Sequence, residues 1–325
     1  MINSVTSEEV VEHHREFSKA IKTKRFAGRC LGYVTPWNSR GYKLAKVFAA
    51  KFSHLVPVWF QVDLSRANGS GKLKLGGRHE VDREWMKRVR ARGALVLPRV
   101  NLEGVGAEGL ARFLGSRARI DELVALLAAA VEEYGLDGLT LETGGLPGMR
   151  IHEAGMTLLV EQLAGVTRVI MVAPPAHPAF GARRQRFDYG DLAALAGHLE
   201  GVSVMTYDFS HPGSPGPSAP LAWMERALEG IVPPNAPQLA SKVFLGLNFY
   251  GNDFAGDGSG GPIIEWDSGS SEHVYRYVDG QGREHEVWYP SLGSLHVRLE
   301  LAARAGVGVA VWELGQGLDY LFDEL

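Results

Sequence analysis

Residues 121–143 read D-E-L-V-A-L-L-A-A-A-V-E-E-Y-G-L-D-G-L-T-L-E-T, and the fold turns on this stretch. Leu123, Leu127, Val131 and Tyr134 recur at helical spacing and share one face, with Glu132 and Glu133 elsewhere. Gly135 follows at once, and glycine favours a helix C-terminus. Residues 136–143 are then a short apolar and β-branched run, which reads as a strand. Similar runs stand at 31–35, 55–60, 94–100, 169–174, 202–208, 243–250 and 307–314. Most end in Gly, Pro, Asn or Asp, as strands do. Helical stretches lie between them; in 81–92, Val81, Trp85 and Val89 fall on one side and a cluster of Arg and Lys forms a solvated face.

Strands alternating with helices argue for parallel βαβ units. Eight such strands suggest an α/β fold, a closed (β/α)8 TIM barrel, whose typical size is ~250 residues. The chain has 325, which leaves about 75 to place. Residues 1–27 are expected as an N-terminal arm and 28–325 as the barrel. A small α+β insertion, rich in β, is expected on the rim at about 251–290, between strands seven and eight; it carries Trp266, Tyr275, Tyr277, Trp288 and Tyr289.

Composition narrows the function classes. Apolar residues make up 45% and charged residues 22%, which is too apolar for a disordered chain. No apolar run reaches the ~18 residues of a membrane span. Lys and Arg number 34 against 37 Asp and Glu, so no general attraction for nucleic acid or anionic lipid is expected. One cysteine, Cys30, excludes an internal disulfide and reads as a buried, inert thiol. Met1 to Val11 lacks the apolar core of a signal peptide. Gly104 to Gly109 matches G-x-G-x-x-G, but at the third strand rather than the first, so no nucleotide cofactor is expected. The eleven histidines show no H-E-x-x-H, and no metal site is expected.

In such barrels, sites form at the C-terminal strand ends. Those ends hold Trp37 after strand one, Trp59 at strand two, Glu142 on strand four, Tyr207 and Asp208 on strand six, Asn248 and Tyr250 on strand seven, and Trp312 on strand eight. Aromatic faces beside a few carboxylates and amides suit sugar rings, whose C–H faces pack on indole and whose hydroxyls meet the polar groups.

At this point the chain resembles glycoside hydrolase family 18. Met205-Thr206-Tyr207-Asp208 matches the family's sixth-strand M-x-Y-D, and Trp312 its eighth-strand Trp. Asp137-Gly138 opens a degraded D-G-x-D-x-D-x-E. The strings at 32–39, 245–251 and 312–320 resemble a receptor-interacting, chitinase-like branch of the family. That resemblance implies binding of N-acetylglucosamine oligosaccharides or chitin fragments, a cell-surface scavenger receptor as partner, and extracellular or lysosomal residence.

The same comparison implies a missing acid. The family's second Asp falls on Thr140, its third on Glu142 and its catalytic Glu on Gly144; Leu97-Pro98-Arg99-Val100 stands where the family has S-x-G-G. The expected protein is therefore a lectin-like barrel with no catalytic residue, Glu142 being a remnant. Trp37, Trp59, Glu142, Tyr207, Asp208, Asn248, Tyr250 and Trp312 are its expected sugar contacts. Two alternatives stand beside this reading: weak hydrolysis with Glu142 as the acid, and a receptor-binding protein without a sugar site.

Overall fold

The computed structural model describes residues 7–65, 71–143, 154–176, 187–256 and 263–325. Strands β1 (Cys30–Val34), β2 (His54–Pro57), β3 (Phe60–Asp63), β4 (Leu75–Gly76), β5 (Leu95–Val96), β6 (Arg99–Glu103), β7 (Gly138–Glu142), β8 (Arg168–Ala173), β9 (Gly201–Val204) and β10 (Val243–Asn248) come first. An antiparallel set follows, β11 (Asn252–Gly256), β12 (Ile263–Asp267), β13 (Glu272–Val278) and β14 (Glu284–Tyr289), before β15 (Gly308–Trp312). The helices are α1 (Ser7–His13), α2 (Ser39–Phe48), α3 (Arg83–Arg90), α4 (Ala107–Leu114), α5 (Arg117–Tyr134), α6 (Ala154–Ala164), α7 (Tyr189–Leu195), α8 (Leu221–Ile231) and α9 (Leu292–Ala305).

The main sheet runs β4-β3-β6-β7-β8-β9-β10-β15-β1-β2-β5, parallel except for β4 on β3. Its two ends are joined by the chain itself. β2 runs into β3 through Val58 and Trp59, and β5 runs into β6 through Leu97 and Pro98. Strands two and three are therefore each bent into two halves: the lower halves, β2 and β5, pair with each other and β2 with β1, while the upper halves, β3 and β6, pair with each other and β6 with β7. The ring closes into the eight-stranded barrel the sequence predicts.

Side-chain alternation divides the core. Leu31, Tyr33, Val56, Val58, Leu97, Ile170, Phe244 and Ala310 fill the barrel. Their neighbours Leu55, Val100, Leu139, Leu141, Val169, Val202 and Val309 face the helices. β1, β2, β9 and β10 are buried on both faces, as strands of a parallel sheet typically are. α5 stops where expected: Gly135 adopts φ 60°, and its N–H caps the Glu132 and Val131 carbonyls.

The floor of the barrel holds a charged cluster. His54 is buried, its Nδ1 2.9 Å from Ser53 Oγ and its Nε2 3.4 Å from Glu200. Arg29 pairs with Glu200 at 2.8 Å and lies over the Phe244 ring. Burial, reinforced by the Arg29 charge, pushes the His54 imidazole down to about 4. The unfolded chain takes up this proton near pH 6.5 and the folded one only near 4, so stability is whole above pH 6.5 and falls as pH drops through that window. We predict an acid-induced loss on the order of 2–3 kcal/mol from this residue. Urea unfolding between pH 7 and 4 checks it, and an equally steep loss in His54→Gln would contradict it.

The rim sheet, ordered β11-β14-β13-β12, follows β10 in sequence; its described residues are strands and turns. One face packs Phe254, Val274 and Trp288 together and aims Glu272 at the barrel. At the N-terminus, the Ser18 N–H donates to Asp323, and Phe17 meets Phe48 edge-on.

Candidate functional site

Above the apolar middle of the barrel the upper layer is polar. Tyr33 marks the change, donating from its hydroxyl to Ser203 Oγ at 3.0 Å. Above it the Trp312 ring leans on Tyr33 at 5.1 Å between centroids and is half-buried, so part of the indole is open to the mouth.

Parity on β6 and β7 sets the next pair. Val100, Leu139 and Leu141 face the helices, so Arg99, Thr140 and Glu142 face inward. The Thr140 hydroxyl donates to the Leu97 carbonyl at 3.0 Å. Arg99 Nε donates to Glu142 Oε2, and both side chains are 17% exposed. In the sequence, Arg99 stands out only as part of the stretch that replaces the family's S-x-G-G. The signal available was a charged residue at an inward position, which needs a partner of opposite charge.

The segment after β9 carries Tyr207 and Asp208. A Cβ at Gly246 would fall 2.3 Å from the Val204 carbonyl oxygen and 2.9 Å from the Tyr207 ring, so glycine on β10 is what lets this segment close over it. Tyr250 donates its hydroxyl to Asp208, and its ring meets Tyr207 edge-on at 6.3 Å. Burial holds the Tyr33, Tyr207 and Tyr250 phenols above their ordinary range, Tyr250 with the added charge of Asp208. All three are neutral donors at physiological pH. Asn248 is buried and donates to the Tyr250 carbonyl at 2.8 Å, which makes it a support for Tyr250. Asp208, His211, Asn252 and Phe254 help line a shallow cleft between this segment and the rim sheet.

Two expected tryptophans separate. Trp37 is 73% exposed beyond β1. Trp59, expected on the groove wall, is 1% exposed and turned away from the mouth; its Nε1 donates to Tyr42 Oη at 2.7 Å and its ring meets Trp85 edge-on. The reason is parity: Val56 and Val58 fill the barrel, so Trp59 faces α2 and α3. Gly144, where the acid would stand, lies outside the described residues.

The loops after β1 and β15 hold each other beside Trp312. Glu313 accepts from Asn38 Nδ2 at 2.8 Å and from the Gly315 N–H at 2.7 Å. Burial raises its pKa. Arg40 donates to the Gly315 and Gly317 carbonyls and pairs with Asp319. The Trp312–Glu313 peptide is cis. A Cβ at Gly315 would fall 2.4 Å from Asn38 Nδ2 and 2.6 Å from the Gly41 nitrogen. We predict that Gly315→Ala costs about 1–3 kcal/mol by overpacking, read as a lower urea midpoint; an unchanged midpoint would contradict the packing described.

The closed (β/α)8 barrel thus gathers aromatic rings, phenols and carboxylates at its mouth, where sites form in such barrels. Residues 29–317 match Glycosyl hydrolases family 18, and the chain belongs to that family. It is similar to the "Putative sporulation-specific glycosylase YdhD" of Bacillus subtilis (strain 168), 23% identical over 274 residues, 77% of this chain and 63% of that protein. The chain thus spans less than two thirds of that curated relative. Among solved structures it resembles the chitinase from Chromobacterium violaceum ATCC 12472, with TM-score 0.75, 20% identity, 92% of this chain and 98% of that chain. It also resembles the family 18 chitinase from Cycas revoluta in complex with allosamidin, with TM-score 0.72, 16% identity, 91% of this chain and 98% of that one. These likenesses support the barrel and the family, not the receptor-interacting branch.

Proposed function

We propose that this chain is a non-hydrolysing member of family 18 that holds N-acetylhexosamine oligosaccharides in the barrel mouth. The observation that carries this reading is the Arg99–Glu142 pair. Glycosidic cleavage needs a carboxylic acid that delivers a proton to the leaving oxygen. Glu142 is held by the Arg99 guanidinium on the inner face of β7, so its carboxyl is turned to Arg99 rather than to a leaving oxygen. Glu142 is the one acidic residue of β7, and Gly144 offers no side chain. A positioned general acid contributes roughly 10²–10⁴-fold, so its loss leaves binding as the dominant property.

The binding groups remain: the half-open Trp312 face, the Tyr207 and Tyr250 phenols, and the Asp208 carboxylate. Aromatic stacking at about 1 kcal/mol and a few net hydrogen bonds of about 1 kcal/mol each give affinities of roughly mM to µM. Turnover of a fluorogenic N-acetylglucosamine oligomer tests the reading. We expect none above the heat-inactivated protein. Turnover that disappears in Glu142→Gln would establish a hydrolase instead.

The strings at 32–39, 245–251 and 312–320 support, by resemblance alone, the receptor-interacting branch with its extracellular or lysosomal setting. Binding to cells that display a scavenger receptor, competed by the purified receptor ectodomain, tests that extension.

A further inference from the structure

Arg99 uses one of its five N–H donors within the described residues, the Nε–H on Glu142. Its Nη1 and Nη2 groups meet no acceptor among the described residues. The side chain is nevertheless only 17% exposed, at the inward side of the barrel mouth. Around it the Tyr33 hydroxyl is committed to Ser203, the Thr140 hydroxyl to Leu97, the Trp312 ring lies on Tyr33, and further along the same face of β6 the Asn101 amide donates to Glu103.

We propose that the mouth is specific for acidic glycans in which a uronic acid neighbours the N-acetylhexosamine, and that Arg99 is the residue that reads the uronate carboxylate. This rests on the sugar-binding reading of the mouth and adds the ligand's charge to it.

The chemistry follows from the guanidinium. Nη1 and Nη2 present two N–H groups side by side, spaced for the two oxygens of one carboxylate. A hydroxyl or an amide carbonyl satisfies only part of that edge. The open part of Trp312 supplies an apolar face for a ring, so the carboxylate arrives on a sugar and not as a free ion.

Charge sets the size of the effect. Arg99 and Glu142 cancel before the ligand arrives. A bound uronate places the guanidinium between two carboxylates, with a net charge of −1. Glu103, at the end of the same face of β6, adds one more carboxylate, which accepts from Asn101, while Asp208 follows β9, three strands round the barrel, and is already engaged by Tyr250. The expected gain is therefore about tenfold, roughly one charge-assisted hydrogen-bond pair offset by the extra anion.

Titration of tryptophan fluorescence with a hyaluronan tetrasaccharide and with chitotetraose tests this on the full chain. Hyaluronan alternates N-acetylglucosamine with glucuronate, whereas chitotetraose is neutral. The wild type should bind hyaluronan about tenfold more tightly at low salt, and the margin should shrink at high salt as the charges are screened. Arg99→Lys keeps the charge and removes the fork, so most of the margin should go. Arg99→Gln combined with Glu142→Gln keeps the pair neutral and hydrogen-bonding, and should bind both sugars alike; circular dichroism checks that each variant is folded. Equal or tighter binding of chitotetraose by the wild type overturns this inference and leaves the sugar-binding reading standing. Binding of neither sugar overturns both.

Discussion

Arg298→Met should cost about 3–5 kcal/mol of folding stability, the range for stranding one member of a buried ion pair. Arg298 and Glu272 are each 4% exposed and meet at 3.0 Å. Arg298, on α9, also donates to the carbonyls of Ser271 and Ser294, each at 2.8 Å, and to that of Ala219. Glu272, on β13, accepts from the backbone N–H groups of Ser218 at 2.9 Å and Ala219 at 2.7 Å. One ion pair thus ties the rim sheet, α9 and the segment before α8 together. Without Arg298 the carboxylate keeps two backbone donors and loses its counter-charge. Burial already raises the Glu272 pKa, with Arg298 and those backbone donors opposing it. The variant should raise it further. Its deficit is then greatest at neutral pH and shrinks as acid protonates Glu272 in the folded state. Urea unfolding at pH 7.5 and pH 5 measures both effects. Replacing the pair together, Arg298→Met with Glu272→Leu, should recover most of the loss, because no buried charge is left alone. A neutral-pH deficit under 1 kcal/mol in the single variant would show the clamp to be dispensable.

Trp312→Ala should weaken oligosaccharide binding by about 10–30-fold, which corresponds to losing one aromatic stack and part of its neighbours' order. Trp312 closes β15 and rests on Tyr33, whose hydroxyl is fixed to Ser203. The ring is therefore held at one edge and open at another, the arrangement a sugar face requires. Trp312→Phe keeps a flat ring of smaller area and should lose less. Titration with chitotetraose, read by calorimetry because the fluorophore is removed, separates the two variants. Unchanged affinity in Trp312→Ala would remove this residue from the site.

The fold was legible because its signals are local. Helical spacing from Leu123 to Tyr134, the stop at Gly135 and the run after it recur around the chain, and parallel strands buried on both faces leave such runs. The halving of strands two and three was hidden. Nothing in Val58–Trp59 or Leu97–Pro98 announces that one strand serves two neighbours, although Pro98 has no N–H to give a ladder. Trp59 was misplaced for a reason the sequence did contain: with Val56 and Val58 inward, the residue between 58 and 60 must face the helices. The Glu142 position was legible by the same alternation. Its partner was not, since Arg99 lies 43 residues away and the barrel's register alone makes them neighbours. The pairing of Asp208 with Tyr250, across 42 residues, was hidden for the same reason.

The claim that this barrel keeps its sugar site without its proton donor is tested most directly by the structure of the wild-type protein after prolonged exposure to chitotetraose. The account predicts an intact four-sugar chain with one ring on Trp312, and Arg99 still bonded to Glu142. Shortened sugars in the mouth, with the Glu142 carboxyl turned from Arg99 toward a cleaved linkage, would contradict it.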